Sequence, residues 1–284
     1  MAEGLTIVVV ALLGGEALDE CVKTARAQCA NVLIARRDGT IVDAEGRRRG
    51  IADQPNIPAK RRCAVELAST RLVALLEDTV VPGPDWAEAA TAALGQKDVV
   101  ACGGPVRIGE GLPAQTRALT LSEYGRYNDR QPAGEVSGLP GCNFAFRREA
   151  LIEAMHGSNG LVDQQVFTRL KGAGGKIIWA PDMAVTFAHA FPDGARLKTR
   201  FDHGRIYASS EASRSGPIGR AAIAAKALVL PAVLTARSLG HADSPQLRSP
   251  GTLAWLTLQH SAWAAGEFVG ALLGPSRNGL GQWR

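Results

Sequence analysis

Leu72-Val73-Ala74-Leu75-Leu76-Glu77-Asp78-Thr79-Val80-Val81-Pro82 begins as an unbroken apolar run and ends abruptly in two adjacent carboxylates. An apolar run without alternation predicts a strand buried on both faces of a parallel sheet. In open α/β sheets ligands bind beyond the carboxyl ends of the strands, and hard divalent cations prefer oxygen ligands and phosphate. Glu77 and Asp78 therefore read as the metal and diphosphate end of a nucleotide site, or else as an acidic strand end held in solvent. Two carboxylates alone do not separate these readings.

Upstream, Thr6-Ile7-Val8-Val9-Val10-Ala11-Leu12-Leu13 is a β-branched run closed by Gly14-Gly15, which predicts a first buried strand. Residues 16–30 carry Leu18, Cys21, Val22 and Ala25 at helical spacing, and Asn31-Val32-Leu33-Ile34-Ala35 is a second strand. The β-α-β order with short connections requires parallel strands. Gly14-Gly15 lacks the three-glycine spacing of a dinucleotide fingerprint. Asp38, at a strand end and followed by Gly39, either hydrogen-bonds a base or ribose or simply turns the chain. Residues 43–62 are polar, rich in Gly and Arg, and hold Pro55 and Pro58, so they predict a surface excursion. A helix over about residues 60–69, with Arg61 or Arg62 near its start, then delivers the chain to the acidic strand.

Downstream, Pro82-Gly83-Pro84-Asp85-Trp86 stops the strand and starts a helix, and residues 98–106 form a strand broken by Gly103-Gly104. A long polar and aromatic passage covers residues 119–138. A glycine-punctuated loop from Gly138 to Cys142 then leads through Asn143-Phe144-Ala145-Phe146 into a helix. Asp163 opens a further helix, whose dipole favours an ionised carboxylate there; an ordinary first-turn acid gives the same pattern. Residues 176–181 and 184–189 are strands, the second finishing on His189.

The chain has 284 residues, 46% hydrophobic and 21% charged, which describes one or two globular domains. A formal net charge of +5 is no basis for nucleic-acid binding, and it equally suits a phosphate-bearing substrate or an anionic membrane surface. The five cysteines are scattered, with no CxxC pair, as in proteins of a reducing compartment. The acidic start runs directly into a strand, so the expected location is cytoplasmic.

From residue 5 to about 208 the ordered set of motifs resembles the family 2 glycosyltransferases of GT-A fold. The set comprises the opening strand, Leu76-Glu77-Asp78-Thr79 followed by Pro82 and Trp86, and Gly103-Gly104. Then come Gly141-Cys142-Asn143-Phe144-Ala145-Phe146-Arg147-Arg148, Asp163 ahead of Arg169-Leu170, Gly174-Gly175-Lys176-Ile177-Ile178-Trp179-Ala180-Pro181, and His189. The resemblance implies a mostly parallel, Rossmann-like central sheet flanked by helices, and sugar transfer from a nucleotide-sugar donor to a glycan or lipid-linked acceptor. It implies donor contacts at Asp38, Glu77, Asp78, Gly104, Asn143 and Arg205. Asp78 and His189 would hold a divalent cation, Mg²⁺ or Mn²⁺, and Asp163 would be the general base of an inverting enzyme. Thr79 and Val162 stand where the family places carboxylates, and both departures also suit an inactive relative that binds a nucleotide sugar as a scaffold. The acids at 77, 78 and 163 and the imidazole of His189 are expected to converge at the sheet's carboxyl edge.

After the expected catalytic domain, residues 1–210, the segment 211–284 holds two apolar stretches, 219–239 and 252–273, each near the length of a membrane span and each interrupted by polar or charged residues. In the second, Trp255, Leu258, Ala262, Ala265, Val269 and Leu272 share one helical face, opposite Thr257, His260 and Glu267. This pattern fits helices lying on the cytoplasmic face of an inner membrane, or helices packed against protein. Arg200 and Arg205 fit either a phosphate or a solvated basic face.

Overall fold

The computed structural model describes residues 4–158, 160–161, 163–191, 195–213 and 215–274. Val162, the departure noted above, lies outside them. The chain forms two compact units, which divide after Glu110, after Arg126 and after His189.

The first unit opens with β1 (Leu5–Val10), α1 (Gly15–Gln28), β2 (Asn31–Ala35), β3 (Thr40–Asp43), β4 (Arg48–Ile51) and α2 (Ile57–Leu67). It continues through β5 (Leu72–Glu77), β6 (Val80–Pro82), α3 (Trp86–Gly95), β7 (Val99–Gly103) and β8 (Val106–Ile108). After α4 (Ala114–Tyr124), which belongs to the second unit, it resumes with β9 (Gly134–Glu135), β10 (Asn143–Arg147) and α5 (Arg148–Ala154). It closes with α6 (Asp163–Gly172), β11 (Lys176–Trp179) and β12 (Val185–Phe187).

These strands make a nine-stranded mixed sheet in the order β4-β3-β2-β1-β5-β10-β7-β11-β9, and a small sheet β6-β12-β8. β2, β1, β5, β7 and β11 run one way, and β10 is reversed between β5 and β7. Every residue of β1 and β5 is buried, as their unbroken apolar runs require. Because β10 is antiparallel, it starts at the edge where β5 ends: Asn143 lies opposite Leu76. The loop before β10 is thereby set beside Glu77.

Two segments differ from expectation. The excursion over residues 43–62 contains β4, which pairs with β3 as an edge hairpin and is largely exposed, so that it carries no apolar pattern. It also contains the start of α2, which is capped by Asn56: its Oδ1 accepts the Ala59 N–H at 2.9 Å, with Pro58 in the first turn. The passage after residue 119 holds the end of α4, a helix disguised by threonines on its buried face, Thr116 and Thr120.

The second unit packs α4 with α7 (Ala195–Ala212), α8 (Pro217–Ala227), α9 (Leu230–His241) and α10 (Pro250–Leu273). α7 and α10 touch backbone to backbone, since a β-carbon on Gly204, Gly266 or Gly270 would collide with a main-chain oxygen of the other helix. On α10 it is His260 and Glu267 that are buried, whereas Leu258 and Leu272 are exposed. Its interior contacts are polar, with Gln259 Nε2 donating to Gln115 O at 3.2 Å and Ser238 Oγ lying 3.3 Å from His260 Nε2. No single described helix is long and apolar enough to cross a membrane.

Burial, with the nearby Arg200 charge second, pushes the pKa of His260 from 6.5 down to about 4. Between those values the unfolded chain binds a proton that the folded chain does not, so stability falls as pH drops through the window. Urea unfolding should show a loss of up to about 3 kcal/mol between the two pH limits. His260→Leu should flatten that slope, and an unchanged slope would assign the acid sensitivity elsewhere.

Candidate active site

One side chain from α2 joins three segments at the carboxyl edge of β5. Arg61 is 5% exposed. Its Nη2 donates to Glu77 Oε1 at 2.8 Å and to the Gly141 carbonyl at 2.6 Å, and its Nη1 donates to Asp163 Oδ1 at 3.0 Å. The guanidinium carbon lies 5.3 Å from the centroid of the Phe144 ring. A buried cation is tolerated when paired in this way, and removing one partner of such a group typically costs about 3–5 kcal/mol.

Packing brings each partner into place. Phe167 of α6 stacks on Phe146 at 6.2 Å between centroids and meets Phe144 edge-on, which fixes α6 against β10 and sets Asp163 at the guanidinium. Gly141 leaves room for this carboxylate, because a β-carbon there would sit 2.7 Å from Asp163 Oδ2 and push it from its place. The Asp163 side chain is 31% exposed against 6% for Arg61 and 10% for Glu77, so it is the member of the trio most open to solvent. Its partial withdrawal from water raises its pKa above the usual carboxylate value, and the Arg61 charge opposes the rise.

Asp78 points elsewhere. It is fully buried, and both carboxylate oxygens accept main-chain N–H groups: Leu12 at 2.8 Å and Leu13 at 3.1 Å on Oδ1, Leu13 at 3.0 Å and Gly14 at 2.7 Å on Oδ2. Lys60, also buried, donates from Nζ to Ala11 O at 3.2 Å, and burial lowers its pKa against the opposing pull of Asp78. Residues 11–14, the turn from β1 to α1, are thus held by a carboxylate from β5 and an ammonium from α2.

No family model matches the chain, and no curated protein does so significantly. Among solved structures, the mannosyltransferase PcManGT from Pyrobaculum calidifontis, in complex with GDP-Man and Mn²⁺, superposes at a TM-score of 0.53. The two are 18% identical, over 94% of this chain and 87% of the other. The fold is GT-A-like. GalNAc-T7, solved with UDP, GalNAc and Mn²⁺, aligns more loosely, at a TM-score of 0.42 and 15% identity over 75% of this chain and 51% of that one.

Within this GT-A-like frame the remaining expected residues have visible structural work. Asn143 is fully buried: its Oδ1 accepts Trp86 Nε1–H at 2.7 Å, while its Nδ2 donates to Gly104 O at 3.0 Å and Met183 O at 2.7 Å. It ties the strand crossing to the β7–β8 and β11–β12 connections, and Gly104 is glycine because the Ala180 and Met183 carbonyls press on it. Asp38 is exposed beyond β2, and its Oδ1 accepts the Thr40 N–H at 2.9 Å, as a turn residue does. His189 Nε2 lies 3.0 Å from Glu20 Oε2 on α1. Arg205 belongs to the second unit, where its Nε donates to Gly274 O at 3.0 Å.

Both residues expected to hold a cation, Asp78 and His189, have partners within the protein. The lone pairs of Asp78 face backbone N–H groups, Thr79 is buried, and His189 faces Glu20. Among the described residues no three His, Cys, Asp or Glu side chains come together in a way that fits a metal ion.

The residue that sequence reading passed over is Arg61, noted only as a basic residue near a helix start. The signal was available: Asn56 and Pro58 fix the start of α2, and Arg61 then falls four residues before the buried Val65, on the inward face.

The geometry of Asp78 predicts that Asp78→Asn turns an amide N–H toward backbone donors and lowers unfolding free energy by about 1–3 kcal/mol in metal-free buffer. A loss seen only when Mn²⁺ is present would restore Asp78 to the metal.

Proposed function

We propose that this chain is an inverting glycosyltransferase of the family 2 type, moving a sugar from a nucleoside diphosphate to a hydroxyl of a glycan or lipid-linked acceptor. One observation carries the reading: a partly solvent-open carboxylate, Asp163, is held by a buried cation at the carboxyl edge of a GT-A-like sheet. That edge is where open α/β sheets take their ligands. The similar fold of PcManGT with its bound GDP-Man supports a nucleotide-sugar donor.

In this reading Asp163 accepts the proton of the acceptor hydroxyl as its oxygen bonds to the anomeric carbon. The bond from that carbon to the diphosphate breaks on the opposite face and carries the electron pair away with the nucleotide. Arg61 positions Asp163 and its charge favours the ionised carboxylate, while withdrawal from water supplies the raised basicity. Glu77 ends β5 and Asp38 follows β2, with β1 between them, along the same edge, where ribose and base would be contacted. No step is assigned to a metal, because the described donors do not form a set that fits one.

A second reading, binding of a nucleotide sugar without turnover, is favoured by the engagement of both Asp78 oxygens with the backbone. Release of nucleoside diphosphate from UDP- and GDP-sugars, measured with Mn²⁺ and with chelator, separates the two. The first reading expects turnover that Asp163→Asn lowers by about 10²- to 10⁴-fold with donor affinity kept. It also expects the wild-type rate to fall as pH drops through the raised pKa of Asp163. Donor binding with no turnover supports the second reading, and full turnover by the Asp163→Asn variant removes Asp163 as the base.

A further inference from the structure

The second unit is apolar where a water-soluble helical unit is usually charged. On α8 and α9 the large side chains Ile218, Leu228, Val229 and Val233 are 87%, 73%, 58% and 47% exposed. The other exposed positions between Ile218 and Val233 are alanine, apart from Lys226. The stripe recurs at helical spacing across both helices, while Thr235 and Ser238 point inward. On α10, Leu258, Phe268 and Leu272 likewise face outward. A run of large apolar side chains facing outward along one element marks a binding face.

Charge and shape decide what covers it. From Pro217 to His241 the chain has Arg220, Lys226 and Arg237 but no acidic residue. Lys226 and Arg237 are exposed along the stripe, whereas Arg220 donates to the Ala271 and Leu272 carbonyls at the end of α10. A second copy packed on this face about a two-fold axis would bring like charges together. An anionic lipid surface accepts both the apolar side chains and the cations. α8 and α9 pass a test for a membrane span only as a pair, and they are bent by 55° at their junction, where Leu228 and Val229 project. An elbow with an apolar tip and basic flanks suits insertion into the headgroup layer better than a crossing.

We propose that the α8–α9 elbow is a membrane-docking element that buries Leu228 and Val229 among the acyl chains of anionic bilayers, with Lys226 and Arg237 against the headgroups. The proposal stands on the second unit alone and does not depend on the glycosyl-transfer reading.

Co-sedimentation of the full chain with vesicles of phosphatidylcholine, alone or mixed with phosphatidylglycerol, tests it. The wild type should pellet with the mixed vesicles, less at high salt, and weakly with phosphatidylcholine alone. Leu228→Glu with Val229→Glu should abolish pelleting. Lys226→Glu with Arg237→Glu should lower affinity for the anionic vesicles by roughly 25-fold or more, from about 5-fold per basic residue. All four side chains are exposed, so thermal melting should be unchanged, and the charge-reversal pair keeps the test decisive if the apolar pair impairs folding. The proposal is overturned by a wild type that does not pellet, by variants that pellet as well as it does, or by a dimer in vesicle-free buffer that Leu228→Glu dissociates.

Discussion

A buried guanidinium needs anions, and in this protein that need organises the carboxyl edge of the sheet. Arg61 reaches from α2 to the end of β5 at Glu77, to the loop before β10 at Gly141, and to the first residue of α6 at Asp163. The three segments are far apart in sequence, and each contributes an oxygen to one planar donor. The fork geometry of arginine suits this task in a way a lysine would not, because two nitrogens must address different partners at once. Glu77 is largely enclosed, so its charge serves the cation. Asp163 keeps an open side, so the same ion cluster is a structural joint and presents one carboxylate to solvent.

Sheet topology makes this meeting unavoidable. With β10 reversed between β5 and β7, the start of β10 and the end of β5 share one edge. Phe144, which follows Asn143 in β10, places an aromatic ring beneath the guanidinium and against Phe167 of α6. A second polar knot lies next door, where Asp78 collects the N–H groups of residues 12–14. Adjacent carboxylates thus do opposite things: Glu77 faces a side-chain cation, and Asp78 closes a main-chain turn.

Much of this was legible from residues alone. The unbroken apolar runs of β1 and β5, the βαβ start, the loop-strand-helix around Asn143 and the acid opening α6 all stand where pattern put them, because burial on both faces and helix capping are local rules. Side-chain direction was not legible. Nothing in Leu76-Glu77-Asp78-Thr79 says which carboxylate turns to a backbone nest and which to an arginine, since that depends on α2 and on residues 11–14 arriving from elsewhere. Nor does the sequence show that the Asn143 amide donates to the Gly104 and Met183 carbonyls, which reach it from two other connections. Which face of α10 meets protein was hidden for a related reason. Periodicity reveals two faces of a helix but not which of them meets protein, and the glycines that draw α7 against α10 turned its polar side inward.

The most direct test of the central claim is a double-mutant cycle in urea unfolding between Arg61→Met and Asp163→Asn. If the guanidinium holds the carboxylate as described, the two changes should be strongly non-additive, with a coupling of about 1–3 kcal/mol for a charged hydrogen bond out of water. Strictly additive changes would mean that Asp163 is placed by α6 alone, and the joint at the carboxyl edge would not exist.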